Sequence, residues 1–333
     1  MSTNCRFERL PESDKLPKEM HPDTNTTTHA TGERVSDSLP HRETARGKLS
    51  LAAWALLAIG SASCSSELGP KAPDGDAAYS FFAAGHSYGD PHTKVRDGLY
   101  PPFRVGLSRL LAERSVDFGV LLGDVVFRPS QESWDLVDEQ LNELPFPVHL
   151  VAGNHDLVPP DWPEELPGYL MRSDWEARYG KTYRSFRRGS DHFVILDPNI
   201  DGWRILGDQL AFLDKELEEA RGARNLFILM HQVLWFKMSV LPKRVSVNSG
   251  FGFQEGQDFE EEILPRLTAL NTPVYVFSGD VGAAPKGDTY RVETVENVTF
   301  IATGMGAGVA DNYTLVEVST EGEVKLTSIP LGD

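Results

Sequence analysis

Two segments, FGVLLGD at residues 118–124 and VHLVAGNHD at residues 148–156, indicate the class of fold. Each begins with a run of apolar residues of strand length and ends in glycine and polar side chains. The segment between them, about residues 132–144, has the apolar spacing of an amphipathic helix. A strand, a helix and a second strand predict a βαβ unit with a parallel sheet, and ligands collect at the carboxyl ends of such strands.

The alternation of strands and helices extends in both directions from this unit. Toward the N terminus, residues 78–84 predict a buried strand, and a helix with Leu107 and Leu110 on one face follows it. Toward the C terminus, a hairpin turns at residues 188–190 and a helix spans about Gly207–Ala220. The remaining predicted strands are Leu226–Met230, Val274–Phe277, Tyr290–Val295, Thr299–Thr303, Tyr313–Ser319 and Lys325–Ile329. No internal repeat is present, so we predict one mixed α/β domain over residues 77–333.

The charge of the chain narrows the classes of partner. The 333 residues contain 32 Lys and Arg against 49 Asp and Glu, which gives a net charge of −17. Residues 1–64 carry equal numbers of basic and acidic side chains, so the whole excess belongs to residues 65–333. An acidic domain repels polyphosphate backbones and attracts metal cations, so nucleic acid is an unlikely partner.

The N-terminal part has the composition of a leader. Residues 1–48 are polar and lack apolar periodicity, which predicts disorder. Residues 49–64 combine preceding basic residues, a short apolar run and the sequence SASC, which is typical of a secretory signal that ends at a lipid-attached cysteine. Residues 65–76 predict a flexible tether. We therefore expect an exported protein of the bacterial cell envelope, a lipoprotein held at a membrane through Cys64.

Other interpretations of this leader remain open at this point. The apolar run at residues 49–60 is compatible with a simply cleaved signal, with a short membrane anchor or with a buried helix. Ser61 stands where a lipoprotein signal usually has an aliphatic residue. A long polar stretch before the run is unusual for an exported protein, and a true start of translation nearer Val35 would explain it.

Polar side chains follow five of the predicted strands. Because both cysteines of the chain, Cys5 and Cys64, precede the predicted domain, a thiol nucleophile and a cysteine-ligated metal are excluded there. Carboxylate, imidazole and amide groups together suit Mn, Fe, Zn and similar divalent ions. The five polar clusters are Gly85–Asp90, Gly123–Asp124, Gly153–Asp156, Met230–Gln232 and Gly279–Gly282.

The order and spacing of these clusters resemble the calcineurin-like metallophosphoesterase family over about residues 77–329. The resemblance implies a four-layer αββα sandwich, in which mixed sheets are flanked by helices. It also implies that Asp124 bridges metal ions, that Asn154 and His231 ligate a metal, and that His155 faces the scissile phosphate. Taken one at a time, these residues are equally typical of turns and of hydrogen-bonded core positions.

Two motifs depart from the family pattern. The first family motif is Asp-x-His, and here His86 and Tyr88 stand at those places, although a literal Asp-x-His occurs at residues 90–92. The fifth motif is Gly-His-x-His, and here Asp280 and Gly282 replace both histidines. One metal would keep Asp124, Asn154 and His231 with Asp280 as a substitute ligand. The other would keep Asp124 and His86, so we expect one or two divalent ions, namely Mn, Fe, Mg or Zn.

The resemblance implies a hydrolase of small phosphomonoesters or phosphodiesters. In that mechanism a divalent ion lowers the pKa of a bound water, which attacks phosphorus in line. His155, paired with Asp156, would assist the leaving group, and His86 would contact the weaker metal or the phosphate. The alternative is a catalytically degenerate envelope lipoprotein of the same fold with a binding or structural role. A nuclease is disfavoured by the acidic domain.

Three further segments are weaker candidates. Residues 240–257 and 158–167 predict surface loops, with contact to substrate as the less favoured interpretation. The glycine-rich run at residues 304–308 lacks the Lys-Ser/Thr and the helix of a nucleotide-binding loop, so we do not assign it to phosphate binding.

Overall fold

The computed structural model describes residues 76–92, 98–158, 169–248, 259–284, 286–306, 308 and 310–332. The predicted leader, the signal segment with Cys64 and the tether up to residue 75 lie outside these residues, as do residues 159–167 and 249–257 of the two predicted surface loops. None of the helices in the described part has the length and apolar character required to cross a membrane.

The secondary structure follows the predicted alternation. The strands are β1 (Tyr79–Ala84), β2 (Phe118–Leu122), β3 (Val148–Val151), β4 (Arg184–Arg188), β5 (Asp191–Ile195), β6 (Leu226–Met230), β7 (Val274–Ser278), β8 (Tyr290–Val295), β9 (Val298–Thr303), β10 (Asn312–Val318) and β11 (Val324–Pro330). The α-helices are α1 (Pro101–Glu113), α2 (Gln131–Asn142), α3 (Arg172–Tyr179), α4 (Gly207–Glu219) and α5 (Leu264–Thr268). A 3-10 helix spans Pro198–Asp201, and a π-helical turn at Phe259–Ile263 leads into α5.

The described strands form two mixed sheets. The first has the order β11-β10-β1-β2-β3, in which β1, β2 and β3 are parallel and β10 runs antiparallel to β1. The second has the order β4-β5-β6-β7-β9-β8, in which β5, β6, β7 and β9 are parallel and the edge strands β4 and β8 are antiparallel to their neighbours. The parallel strands of each sheet therefore end at one edge, where the polar clusters follow them.

The two sheets pack face to face through an aromatic core. Phe81 of the first sheet stacks on Phe118 at 4.8 Å between ring centroids and meets Phe227 of the second sheet edge-on at 5.6 Å. The outer face of the first sheet is covered by α1, α2 and α3, and that of the second by α4 and α5. The predicted four-layer sandwich of helix, sheet, sheet and helix is thus confirmed.

Local sequence explains the elements around the βαβ unit. Every residue of β2 is buried, as expected for a parallel strand covered on both faces. The helix α2 begins where the Ser130 hydroxyl accepts a hydrogen bond from Ser133 N at 3.1 Å, which satisfies one of the free N–H groups of the first turn. On α4, Leu213 and Leu217 are buried at a spacing of four residues, which fixes the face turned to the second sheet.

The C-terminal strands are divided between the sheets, which the sequence pattern does not predict. The hairpin of β8 and β9 completes the second sheet, whereas β10 and β11 return to the first, where Phe81 of β1 lies opposite Val316. A hairpin pattern indicates that two strands pair with each other but not which sheet they join. The helices α3 and α5 are absent from the predicted elements, because 8 and 5 residues are too few for a clear period.

His149 on β3 carries a pH-dependent contribution to stability. Its ring stacks on Phe186 with 4.0 Å between the ring centroids. Burial, with a smaller effect from Arg184, lowers the pKa of His149 from 6.5 to about 4. Below pH 6.5 the unfolded chain takes up a proton that the folded chain does not bind until about pH 4. The contribution is therefore complete above pH 6.5 and is lost as the pH falls through this window.

We expect His149→Phe to reduce the acid sensitivity of the fold. Between pH 7.5 and pH 5, protonation of this group in the unfolded state should cost the wild type about 1–2 kcal/mol of unfolding free energy. The variant keeps the stacking on Phe186 and lacks the titrating group. Urea unfolding of both proteins at the two pH values measures the difference, and an identical loss in both would contradict the assignment.

Candidate metal centre

Three glycines at strand ends let the loops of the two sheets approach each other. A Cβ on Gly85 would lie 2.3 Å from Gly279 Cα, and one on Gly279 would lie 2.2 Å from Leu122 O. A Cβ on Gly153 would lie 2.4 Å from Asp124 Oδ1. These separations are shorter than any real contact of a side chain. The loops after β1, β2, β3 and β7 therefore meet only because these positions carry no side chain.

His86 and Asp124 adopt a backbone conformation that is unusual for residues with side chains. Their φ angles are 55° and 53°, in the left-handed region, which costs about 1–2 kcal/mol for a residue other than glycine. His86 N donates a hydrogen bond to Gly123 O at 3.1 Å, and Tyr88 N donates to Asp124 O at 3.2 Å. Such conformations persist only where the surrounding structure holds them, and they cluster at functional sites.

A buried group of three potential ligands lies where the strands end. Asp124, His231 and Asp280 each offer one ligand atom, and the three atoms lie within 4.8 Å of one another. His231 Nε2 is 3.2 Å from Asp124 Oδ1 and 3.8 Å from Asp280 Oδ1. Each of the three side chains is at most 2% exposed. Within the described part of the chain, no other three His, Cys, Asp or Glu side chains meet in this way.

The orientation of His231 suits a ligand. Its Nδ1 donates a hydrogen bond to Leu122 O at 2.7 Å, so the proton of the neutral ring resides there and the lone pair of Nε2 faces the two carboxylates. The loop of Asp280 is held beside it, because Gly279 N and Asp280 N both donate to His231 O. The chain thus fixes both the tautomer of the imidazole and the position of the second carboxylate.

The electrostatics of this group call for a cation. Burial alone would lower the pKa of His231, but the Asp124 and Asp280 carboxylates outweigh it and raise that pKa to about 10. Burial raises the pKa of Asp124, but the neighbouring His231 and His155 lower it by more, to below its usual range. Two buried carboxylates around one imidazole therefore favour positive charge between them, which a proton or a divalent ion can supply.

Asn154 offers a further buried oxygen in the loop beside Asp124. It lies between Gly153, where a Cβ would be 2.4 Å from Asp124 Oδ1, and His155, whose backbone N donates to Asp124 Oδ1 at 3.1 Å. Its Oδ1 is buried and accepts no hydrogen bond from the described residues. A buried amide oxygen without a donor is costly unless something binds it. Two carboxylates, an imidazole and an amide oxygen match the ligands of hard to intermediate divalent ions, so the residues fit the metal that the sequence predicts.

His86 lies on the other side of Asp124. Its Nδ1 donates to Met305 O at 2.7 Å, and its Nε2 is 3.9 Å from Asp124 Oδ2. Burial is the largest cause that lowers the pKa of His86, to about 4, although Asp124 opposes it. The Tyr88 ring packs against the His86 ring, with 4.2 Å between their centroids, and against the His155 ring, with 5.2 Å between their centroids. His86 is thus a neutral imidazole enclosed between a carboxylate and an aromatic wall.

Asp90 and His92 do not join this group. The Asp90 carboxylate accepts a hydrogen bond from His92 N at 2.8 Å within its own loop. It belongs to no described group of three ligands with Asp124 or His86. The structure therefore brings His86, and not the literal Asp-x-His, beside Asp124.

The predicted pairing of His155 with Asp156 is wrong. His155 Nδ1 instead donates to Phe127 O at 2.9 Å. The Asp156 carboxylate is fully buried and accepts three backbone N–H groups, from Val125, Val126 and Gly153, at 2.8–3.1 Å. Its pKa rises to about 6 because of burial and the nearby Asp124 charge. Asp156 braces the loops after β2 and β3, so its proximity in sequence to His155 is not proximity of the two functional groups.

Several residues to which the sequence motifs assign no role support the site. Met305 O orients His86, and the glycine-rich run around it is the signal that its backbone comes close to another loop. Asn248 Oδ1 accepts from Ala283 N at 2.7 Å and thereby holds the loop of Asp280. Gln232 Nε2 donates to Asn199 Oδ1 at 2.6 Å, which links the ends of β5 and β6.

Comparison with known proteins agrees with this geometry. The family model of the calcineurin-like phosphoesterases matches residues 88–282, more than half of the chain. A protein of a Synechococcus strain, described as a probable cyclic nucleotide phosphodiesterase, is 28% identical over 182 residues, which cover 54% of this chain and 64% of that protein. The chain thus spans less than two thirds of that relative.

A solved structure shares the fold. The purple acid phosphatase PPD1 of yellow lupin seeds superposes with a TM-score of 0.52 at 15% identity, over 79% of this chain and 53% of the phosphatase chain. At this identity the likeness concerns the arrangement of sheets and helices alone. The family match over residues 88–282 includes the Asp124, Asn154, His231 and Asp280 loops. The chain therefore belongs to the calcineurin-like phosphoesterase family.

Proposed function

We propose that this chain is a metal-dependent hydrolase of small phosphomonoesters or phosphodiesters. The observation that carries the proposal is the buried group of Asp124, His231 and Asp280, whose ligand atoms lie within 4.8 Å of one another. Its position at the carboxyl ends of parallel strands is the usual place for a ligand in α/β sheets. Membership in a family of phosphoesterases supports the reaction class.

Four side chains would hold the metal. Asp124, Asn154, His231 and Asp280 supply three oxygens and one nitrogen, and the backbone hydrogen bonds of their loops fix them in place. A divalent ion there would lower the pKa of a water ligand and withdraw electrons from a phosphoryl oxygen. The substitution of carboxylate for imidazole at position 280 favours Mn or Mg over Zn.

His155 is positioned to act on the substrate. Its Nδ1 donates to Phe127 O, so Nε2 is the nitrogen that remains for a phosphate oxygen or a leaving group. The side chain is partly exposed, in contrast to the buried Asp124, His231 and Asp280. Phe127 also packs beside the ring at 5.6 Å and limits its rotation. With a second proton on Nε2, the His155 ring would donate a hydrogen bond or that proton at the edge of the site, and with Nδ1 alone protonated Nε2 would accept one.

We expect His155→Ala to reduce turnover while the protein keeps its metal. Loss of a general acid or of a transition-state hydrogen bond lowers kcat by about 10²–10⁴-fold. Metal content should stay unchanged, because the contact of residue 155 with Asp124 is through its backbone N. Steady-state kinetics and elemental analysis on the same preparation measure the two effects. Loss of the metal from this variant would show that the side chain is itself a ligand.

Substrate preference is a separate part of the proposal. The domain is acidic, which disfavours long polyanions and favours small esters. The name of the Synechococcus relative adds cyclic nucleotides to the candidates.

The decisive experiment strips the purified full-length chain of metal, restores Mn²⁺ and follows the hydrolysis of p-nitrophenyl phosphate, its bis-ester and cyclic nucleotides. A chain that binds no metal and hydrolyses none of them would support the degenerate, structural alternative instead.

Export to the cell envelope is also proposed. The sequence of residues 49–64 supports a signal that ends in a lipid-attached Cys64, and the acidic domain would then act outside the cytoplasm. Labelling of cells with a radioactive fatty acid should modify the wild type and not Cys64→Ser. N-terminal sequencing of the mature protein separates simple cleavage and an uncleaved anchor from lipid attachment.

A further inference from the structure

We infer that the centre binds a single divalent ion, held by Asp124, Asn154, His231 and Asp280, and that the His86 side of Asp124 binds none. This inference rests on the proposed function and departs from the two-ion arrangement that the resemblance implies. It assigns His86 and Tyr88 to the wall of the site. Three observations carry it: the number of ligands on each side of Asp124, the path of the backbone beside His86, and the charge of the buried cluster.

The ligands are distributed unequally about Asp124. His231 Nε2 lies 3.2 Å from Asp124 Oδ1, and Asp280 belongs to the same buried group. On the side of Oδ2 lies His86, at 3.9 Å. The aromatic ring beside it belongs to Tyr88, whose neutral phenol is a weak ligand compared with carboxylate or imidazole. A second ion would thus have two protein ligands, one of them shared, where most protein sites supply three or four.

The loop of residues 304–306 packs against both Gly282 and His86. Gly282 has a φ of 99°, and a Cβ at this position would lie 2.6 Å from Met305 N. No side chain can therefore be placed at residue 282 without moving the loop of residues 304–306. The same loop accepts the Nδ1 proton of His86 through Met305 O, and a Cβ on Gly306 would lie 3.1 Å from His86 Nδ1. The loop of residues 304–306 and the His86 ring therefore pack directly against each other.

The charge of the cluster matches one divalent ion. Asp124 and Asp280 together contribute −2 when ionised, and the histidines are neutral when they ligate a metal. One divalent ion compensates the two carboxylates, which, like His231, are at most 2% exposed. Asp156 is bound to three backbone N–H groups, and even with its charge included two divalent ions would leave a net positive charge. Uncompensated charge in a buried site is strongly unfavourable.

The test counts ions. The purified full-length chain is stripped with a chelator and titrated with Mn²⁺, and bound manganese per chain is measured by elemental analysis after gel filtration. Low-temperature electron paramagnetic resonance distinguishes an isolated Mn²⁺ from a magnetically coupled pair. We expect one ion per chain with the spectrum of an isolated ion. Two ions per chain with a coupled spectrum would overturn the inference and leave the proposed function standing.

Matched variants locate the ion. His86→Ala should still bind one Mn²⁺, with a dissociation constant within about 3-fold of the wild type, because no ligand is lost. Asp280→Ala should weaken binding by more than about 100-fold, since loss of an outer-shell partner alone costs 10–100-fold. Tyr88→Phe, which preserves the packing, should match the wild type and replaces His86→Ala if that variant does not fold. A chain that binds no Mn²⁺ contradicts the proposed function as well as the inference.

Discussion

Asp124→Asn should abolish metal binding and phosphoester hydrolysis together. The Asp124 carboxylate is the one group that faces both His231, at 3.2 Å, and His86, at 3.9 Å. Asparagine keeps its size but removes the negative charge that attracts a cation. A bound metal contributes several kcal/mol to stabilising the transition state, so kcat/KM should fall by about 10³-fold or more. Elemental analysis and steady-state kinetics of the variant give both readouts.

A control variant at the opposite end of β2 distinguishes the loss of a metal ligand from a general effect of replacing an aspartate by asparagine. Asp117 immediately precedes β2, whereas Asp124 follows it by one glycine. The Asp117 side chain accepts hydrogen bonds from Ser80 N and Arg188, outside the site. Asp117→Asn should retain full metal content and turnover. Full activity in Asp124→Asn, with the variant correctly folded, would refute the assignment of the site.

The sequence predicts the position of most strands because each is a short apolar run that ends in glycine or polar residues. The predicted strands at residues 118–122 and 226–230 agree with β2 and β6 at both ends. These strands are buried along their whole length, so their apolar character is uninterrupted. The polar clusters after them are predictable for the same reason, since the chain changes from buried scaffold to exposed edge at one residue.

The sequence does not predict contacts that depend on where separate loops meet. His155 and Asp156 are neighbours in the chain, yet one binds Phe127 O and the other binds backbone N–H groups. The contact of His86 with Met305 O joins residues 219 positions apart through a backbone carbonyl, which leaves no mark in side-chain type. The sheet that each of the last four strands joins is not predictable from the sequence for a related reason, because it is set by tertiary packing.

The departures from the family pattern at residues 86 and 280 compensate each other in charge. Replacement of imidazole by carboxylate at residue 280 adds a negative charge to the side of His231. Histidine at residue 86 removes a carboxylate from the other side, so the two changes move charge from one side of Asp124 to the other without changing its total. The backbone of residues 304–306 then fills the space beside Gly282. On the inference of a single ion, these changes together would leave one strong site and one closed side.

The end of the sandwich away from this centre contains a second buried polar network. Asp191, at the start of β5, accepts hydrogen bonds from Tyr79 Oη at 2.7 Å, from the Arg224 guanidinium and from Asn225 Nδ2 at 2.9 Å. Burial and the Asp191 charge raise the pKa of Tyr79 well above its usual range. Arg224 also donates to Thr320 O in the turn between β10 and β11. This network joins the two sheets at the amino ends of their strands.

Asp191→Ala should be among the most destabilising single changes in this fold. It leaves the Arg224 guanidinium, whose side chain is 12% exposed, and the Tyr79 hydroxyl without their buried acceptor. Breaking such a pair costs about 3–5 kcal/mol of unfolding free energy. Glu218→Ala is the matched control, because its pair with Arg221 is 72% and 57% exposed and should change stability by no more than about 0.5 kcal/mol. Urea unfolding measures both variants. Since the network lies at the strand ends opposite Asp124, folded Asp191→Ala should bind Mn²⁺ as the wild type does. A loss of unfolding free energy below about 1 kcal/mol in this variant would show that water replaces the carboxylate.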